Sequence, residues 1–177
     1  MSNTYELRKK LVEIARRNVG KTEVTRNQAP WIKPLWTATS YPEGHAERQP
    51  YCAAGMAWAL REWLKLPEVL KALKMTPAQA EKWRCKSASV FHAGDNSWLG
   101  WARAKGLDIY GPKANFHTGD FIIYNYSHIE MFVDDLEQGA IQCIGYNTDP
   151  GAGRDGDGCW EKPRHRGKIQ CAIRILE

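Results

Sequence analysis

Leu7, Leu11, Ile14 and Ala15 recur at helical spacing among charged residues over 6–18, and Gly20 follows as a stop, which predicts an amphipathic first helix. Trp31, Ile32, Leu35 and Trp36 predict a short helix interrupted by Pro34. The stretch 41–50, rich in proline, glycine and charge, predicts a loop. It feeds the apolar run Ala53-Ala54-Gly55-Met56-Ala57-Trp58-Ala59-Leu60, read as a second helix reaching about Leu64. One or two short helices follow over 67–85, where Thr76-Pro77 puts proline at a first helical position, and another spans 97–105, closed by Gly106.

After Pro112 the period changes. β-Branched and aromatic runs at 120–126, 129–133, 141–146 and 169–176 are separated by turn residues and predict an antiparallel sheet. Helices first and strands second is the α+β pattern, with the N-terminal helices packed on the C-terminal sheet. The chain of 177 residues suits one domain spanning 1–177 with a core of its own.

Composition narrows the classes. The apolar run from Ala53 to Leu60 is far shorter than the ~20 residues a bilayer requires, so no membrane insertion is expected. The N-terminus lacks the apolar segment and small-residue site of a Sec signal peptide. The five cysteines at 52, 85, 143, 159 and 171 form no CxxC pair, and this scatter predicts reduced thiols made in a cytoplasm. Cys143, Cys159, His165 and Cys171 fit no zinc spacing, so no metal is expected. Twenty-five Lys plus Arg against twenty Asp plus Glu gives +5, which favours acidic partners without choosing among them. The densest basic stretch, Lys162-Pro163-Arg164-His165-Arg166-Gly167-Lys168, reads as a solvated hairpin turn between strands, and no nucleic-acid partner is expected.

Candidate chemistry starts at Cys52. Gln49-Pro50-Tyr51 delivers this thiol to the start of an apolar helix, where unpaired N–H groups and the positive end of the macrodipole favour a thiolate. Buried cysteines are common packing residues, so Cys52 needs a base before it counts as a nucleophile. Of the five histidines, His128 opens a predicted strand right after another and would be held at the sheet's rim; His45, His92, His117 and His165 sit in predicted loops or short helices. A Cys–His pair also calls for a third group that fixes the imidazole tautomer. Asn147, at the end of the following strand, ranks first. Glu130, two residues after His128 on the same strand face, ranks second. Trp31, Trp36, Tyr51 and Tyr146 are candidates to line a substrate groove, with core packing as their commoner use.

Pro50-Tyr51-Cys52-Ala53-Ala54, then Gly119-Asp120-Phe121-Ile122-Ile123 with Ser127-His128-Ile129, then Gly145-Tyr146-Asn147-Thr148, resembles the CHAP amidase/peptidase family. These are papain-like cysteine peptidases related to the NlpC-type hydrolases. Gly153-Arg154-Asp155-Gly156-Asp157-Gly158-Cys159-Trp160 with Arg164 is similar to the segment that follows in phage-encoded members. Two positions depart from the pattern. The family usually has a small residue two after its histidine, where this chain has Glu130, and many members carry glutamate two before the asparagine, where it has Gly145. No aspartate-rich loop precedes Cys52, so calcium is not carried over, and Asp155 with Asp157 reads as a polar turn.

The resemblance implies a peptidoglycan hydrolase that cuts an amide in or next to the stem peptide. Cys52 would be the nucleophile, His128 the base and acid and Asn147 the orienting residue, with Tyr51, Tyr146 and Glu130 near substrate and no cofactor. A monomeric phage endolysin released by a holin, or an antibacterial effector passed through a delivery machine and matched by an immunity protein, would reach the periplasm or wall without a signal peptide. A non-catalytic wall-binding or structural protein on the same fold, and a cysteine peptidase or deamidase acting on proteins, are the alternatives.

Overall fold

A computed structural model describes residues 4–91, 96–149 and 156–177. His92 and residues 153–155 of the segment likened to phage-encoded members lie outside them. Six helices precede or flank the sheet: α1 (Thr4–Arg16), α2 (Lys33–Trp36), α3 (Cys52–Trp63), α4 (Pro67–Leu73), α5 (Pro77–Trp83) and α6 (Trp98–Ala104). Six strands follow: β1 (Asp108–Tyr110), β2 (Phe121–Tyr124), β3 (His128–Asp135), β4 (Ala140–Thr148), β5 (Gly158–His165) and β6 (Ile169–Arg174). They form one antiparallel sheet in the order β1-β6-β2-β3-β4-β5. The fold is α+β.

The helical period decides what α1 buries. Leu7, Leu11, Val12, Ile14 and Ala15 face inward, and the Trp63 indole N–H of α3 donates to the Leu7 carbonyl at 2.8 Å. α3 is apolar nearly all round and lies between α1, α2 and the sheet, as expected of a helix with no solvent face. At Gly55 it meets the Tyr146 ring of β4 so closely that a Cβ there would lie 2.2 Å from the ring. Pro34 lies in the first turn of α2 and starts the helix instead of interrupting it, because a first-turn N–H has no intrahelical acceptor to lose. Thr76 and Gln79 form a reciprocal capping box at α5, and the Ser97 hydroxyl accepts from Gly100 N at α6.

The sheet has two buried faces. Phe121, Ile123, Ile129, Met131, Ile144 and Tyr146 pack against the helices. Ile122, Tyr124, Phe132, Ile141, Cys143, Ile169 and Ala172 form a smaller core on the other face, with Phe116. Strand alternation therefore puts His128 and Glu130 on the face of β3 that carries Phe132, with His128 at the strand's first position, where it also meets the start of α3.

β5 corrects the expected hairpin turn at 162–168. Lys162 and Arg164 lie in the strand and are buried, while only Arg166–Lys168 form the turn. Pro163 hid the strand. It is tolerated because β5 is an edge, where one side of the backbone needs no ladder donor.

Asp120, of the Gly-Asp pair before β2, is buried and accepts from Arg174 Nε at 3.0 Å, Arg174 Nη2 at 2.8 Å and the His117 backbone N–H at 2.8 Å. It ties β6 to the start of β2 and has no contact with the cysteine. Asp120→Asn keeps the volume but halves the charge-assisted bonding, so a loss of about 2 kcal/mol is expected in urea unfolding. An unchanged midpoint and slope would refute this structural role.

Candidate active site

Cys52 is the first residue of α3, and Tyr51 before it offers no side-chain cap. The first-turn N–H groups therefore stay available, and the Ala53 N–H points to the sulfur. The ladder between β3 and β4 ends at Glu130–Gly145, beyond which Asn147 turns into the left-handed region at φ 55°. Past that end, the Ile129 N–H also reaches Cys52. Sulfur thus sits where a helix start and an opened strand edge both present donors.

His128 arrives through a three-residue hairpin loop, Asn125-Tyr126-Ser127, whose last residue adopts φ 58° and aligns Tyr124 with His128. The imidazole lies against the Cys52 sulfur, and each favours the charged form of the other. His128 Nε2 is 3.1 Å from Glu130 Oε1, which leaves Nδ1 for the sulfur. Tyr126 stacks on the ring at 5.9 Å between centroids and 12° between planes.

Glu130 is fully buried. Its Oε2 accepts from Tyr124 Oη at 2.9 Å and Arg164 Nε at 2.9 Å, and its Oε1 accepts from His128 and from Arg164 Nη2. Arg164 Nη2 also donates to Thr148 Oγ1 at 3.0 Å. Cysteine, imidazole, carboxylate and guanidinium form one row.

Electrostatics follow from that row. Burial pushes the Cys52 thiol up, but the His128 contact and the two backbone donors outweigh it, and its pKa ends below the ordinary value. For His128, burial opposes the charge, while Cys52 and Glu130 favour it and raise the pKa to about 9. Burial likewise opposes the Glu130 carboxylate, yet His128 and Arg164 hold it at about 2. Both partners are therefore shifted toward the thiolate–imidazolium form. The other cysteines behave differently: burial raises Cys85 to about 12 and also raises Cys143, Cys159 and Cys171. All five are free thiols.

Cys52 opens into a cleft of about 200 Å³ lined by Trp36, Tyr41, Gln49, Pro50, Ala88, Ser89, Val90 and Ser127. Cys52 is only 7% exposed, and this cleft is the space it borders.

Three expectations are corrected. Glu130, ranked second, holds His128 Nε2; Asn147, ranked first, is buried with Oδ1 unpartnered and makes no hydrogen bond to the ring. Tyr51 and Tyr146 are fully buried and line no groove. Tyr51 packs edge-on against Trp31, and the Tyr146 hydroxyl donates to the Ala15 carbonyl and accepts from Asn18, so both are core. Glu130 has every lone pair engaged and is beyond a substrate's reach. Of the four proposed groove aromatics, only Trp36 lines the cleft.

Arg164 is not marked as a site residue by the sequence, where Pro163 and Gly167 give 162–168 the look of a solvated turn. The missed signal is the alternation of Lys162 and Arg164 with outward Glu161, Pro163 and His165. Arg166 of the same basic stretch is held by Asp135 and the Ala114 carbonyl. Among the described residues no three His, Cys, Asp or Glu side chains gather to hold a metal, and no helix is long and apolar enough to cross a membrane. Comparison of the chain with protein-family models, curated proteins and solved structures finds no match.

Proposed function

We propose that the chain is a cysteine amidase that hydrolyses peptidoglycan, cutting an amide in or next to the stem peptide by acyl transfer. The observation that carries it is a thiol bordering a cleft and held below its ordinary pKa by a neighbouring imidazole, whose far nitrogen is fixed by a buried carboxylate. Thiol-dependent amide hydrolysis uses this arrangement. The resemblance of the Cys52, Gly119-His128 and Gly145-Thr148 segments to CHAP-type, papain-like enzymes supplies the wall substrate and the role as phage lysin or antibacterial effector.

Each step uses groups already in place. Cys52 Sγ attacks the carbonyl carbon, and the Cys52 backbone N–H at the helix start stabilises the oxyanion. His128 Nδ1–H protonates the departing nitrogen, the C–N bond breaks, and a thioester remains. Water then attacks as His128 takes its proton; the C–S bond breaks, releasing a carboxylic acid and restoring the thiolate and imidazolium. Glu130 keeps Nδ1 on the sulfur side throughout, because Nε2–H stays bonded to it.

Purified sacculi incubated with the protein test the substrate. Mass spectrometry is expected to show soluble fragments with one water added across an amide and a new free amine. Fragments identical to those from buffer alone would overturn the wall reading, and cleavage of a protein substrate in the same preparation would favour the peptidase or deamidase alternative.

A further inference from the structure

We propose that Arg164 is a positioning residue that keeps Cys52 ionised, by closing a buried row of alternating charges made of the Cys52 sulfur, the His128 imidazole, the Glu130 carboxylate and its own guanidinium. The proposal rests on the Cys52–His128 chemistry proposed above and is indifferent to which amide is cut. Arg164 comes from β5, three strands from the β2 end of the hairpin, and touches neither sulfur nor cleft. It acts only through Glu130.

The geometry is that of a clamp. Arg164 is only 7% exposed, and Nε and Nη2 together grip both carboxylate oxygens. Thr148 Oγ1 holds Nη2 from the adjacent strand at 3.0 Å, and the guanidinium lies 5.7 Å from the Tyr124 ring centroid. Such a planar fork fits a carboxylate better than an ammonium does.

Every element around the carboxylate contributes a group. Tyr124 of β2 donates to it, and His128 of β3 donates on the cleft side. Cys143 of β4 lies behind Tyr124, its sulfur 3.7 Å from that hydroxyl, and burial keeps it a neutral thiol. Lys162 and Cys159 of β5 lie farther off; the Lys162 ammonium goes to the Asp149 carbonyl and burial keeps Cys159 a thiol. Against His128 stand Cys52 of α3 and the rings of Tyr124 and Tyr126. Arg164 is therefore the cation that faces Glu130 opposite the imidazolium.

Charge balance gives the direction. With Arg164 present, thiolate, imidazolium, carboxylate and guanidinium sum to zero. Without it, the same ionisation leaves one net negative charge in a buried site, which low dielectric penalises. A proton is taken up to relieve it. Two anions share the imidazolium, and the thiolate is the stronger base, with an ordinary pKa of about 8.5 against about 4.3 for the carboxylate. The proton therefore goes to sulfur, and the nucleophile is lost although neither Cys52 nor His128 has changed.

The test needs no substrate. The rate of Cys52 alkylation by iodoacetamide, followed by mass spectrometry of the Cys52 peptide across pH, reads the thiolate directly. Arg164→Met is expected to move the midpoint up by at least one pH unit, a loss of about tenfold in rate below both midpoints. Arg164→Lys keeps the charge without the fork and is expected to recover more than half of that shift. The double variant Glu130→Gln/Arg164→Met removes both inner charges and is expected to fall back toward the wild-type midpoint. A purely structural arginine would lower thermal stability and leave the midpoint where it was, which would overturn the proposal. If Arg164→Met does not fold, Arg164→Lys carries the test, and a midpoint at or below wild type overturns it. A wild-type midpoint at the ordinary thiol value would instead sink the ion pair itself, and with it the enzymatic reading.

Discussion

Cys52→Ala is expected to abolish release of wall fragments, and His128→Ala to lower it by at least about 10³-fold, with the double variant no worse than Cys52→Ala. Cys85 shows why the histidine matters so much. It is a buried thiol with no imidazole beside it among the described residues, and its pKa rises to about 12. A thiol of that kind is ionised to roughly one part in 10⁵ at pH 7. Removing His128 would leave Cys52 with its burial and its two backbone donors alone, and would remove the acid that protonates the leaving amine. Alkylation of Cys52 in His128→Ala should accordingly need strongly alkaline solution. Wild-type-like alkylation at pH 7 in that variant would show that the imidazole is not what ionises the sulfur.

The same pair fixes the pH range of activity. His128 has its pKa raised above the ordinary value to about 9, so the stabilisation it gives the folded pair is complete below the ordinary imidazole range and is lost as pH rises through about 9. Glu130 is depressed to about 2, so its share is present above the ordinary carboxylate range and is lost only as pH falls through about 2. Protonation of Cys52, whose pKa its neighbours lower, gives the acid limb of activity. A rate that falls as pH rises through about 9 is the expected basic limb, because loss of the Nδ1 proton removes the general acid.

Much of this architecture was legible in the sequence, for stated physical reasons. The spacing of Leu7, Leu11 and Ile14 marked a helix because one face had to be apolar, and the Thr76-Pro77 start was marked by capping chemistry that is local to a few residues. The placement of Cys52 and His128 was legible because each begins an element. What escaped was non-local. Whether Asn147 or Glu130 holds the imidazole depends on a left-handed residue that ends a ladder, and on an arginine from a strand that a proline disguised. Tyr51 and Tyr146 looked available because aromatic residues in motifs suit a groove as well as a core; only Gly55, the space Tyr146 fills, decides between them.

Glu130 and Gly145 are the two departures from the CHAP pattern, and they face each other across β3 and β4. A Cβ at Gly145 would lie 2.4 Å from Glu130 Oε1, so the glycine leaves the room that the carboxylate occupies. The resemblance implies a glutamate at position 145 itself. This chain brings a carboxylate into the same space from the opposite strand, and the small residue has moved to the other side. Gly145→Ala is therefore expected to displace Glu130 from His128 and cost about 10²-fold or more in activity, as loss of orientation at an imidazole does. Glu130→Ala should be worse, since it also strands the Arg164 charge in the interior, at a cost of about 3–5 kcal/mol in stability. Glu130→Ala/Gly145→Glu returns the carboxylate from the other strand, and should recover at least tenfold of the activity lost in Glu130→Ala together with most of its stability. A double variant no better than Glu130→Ala in rate or in urea midpoint would mean that the two positions are not exchangeable, and that the carboxylate at 130 does more than hold a ring.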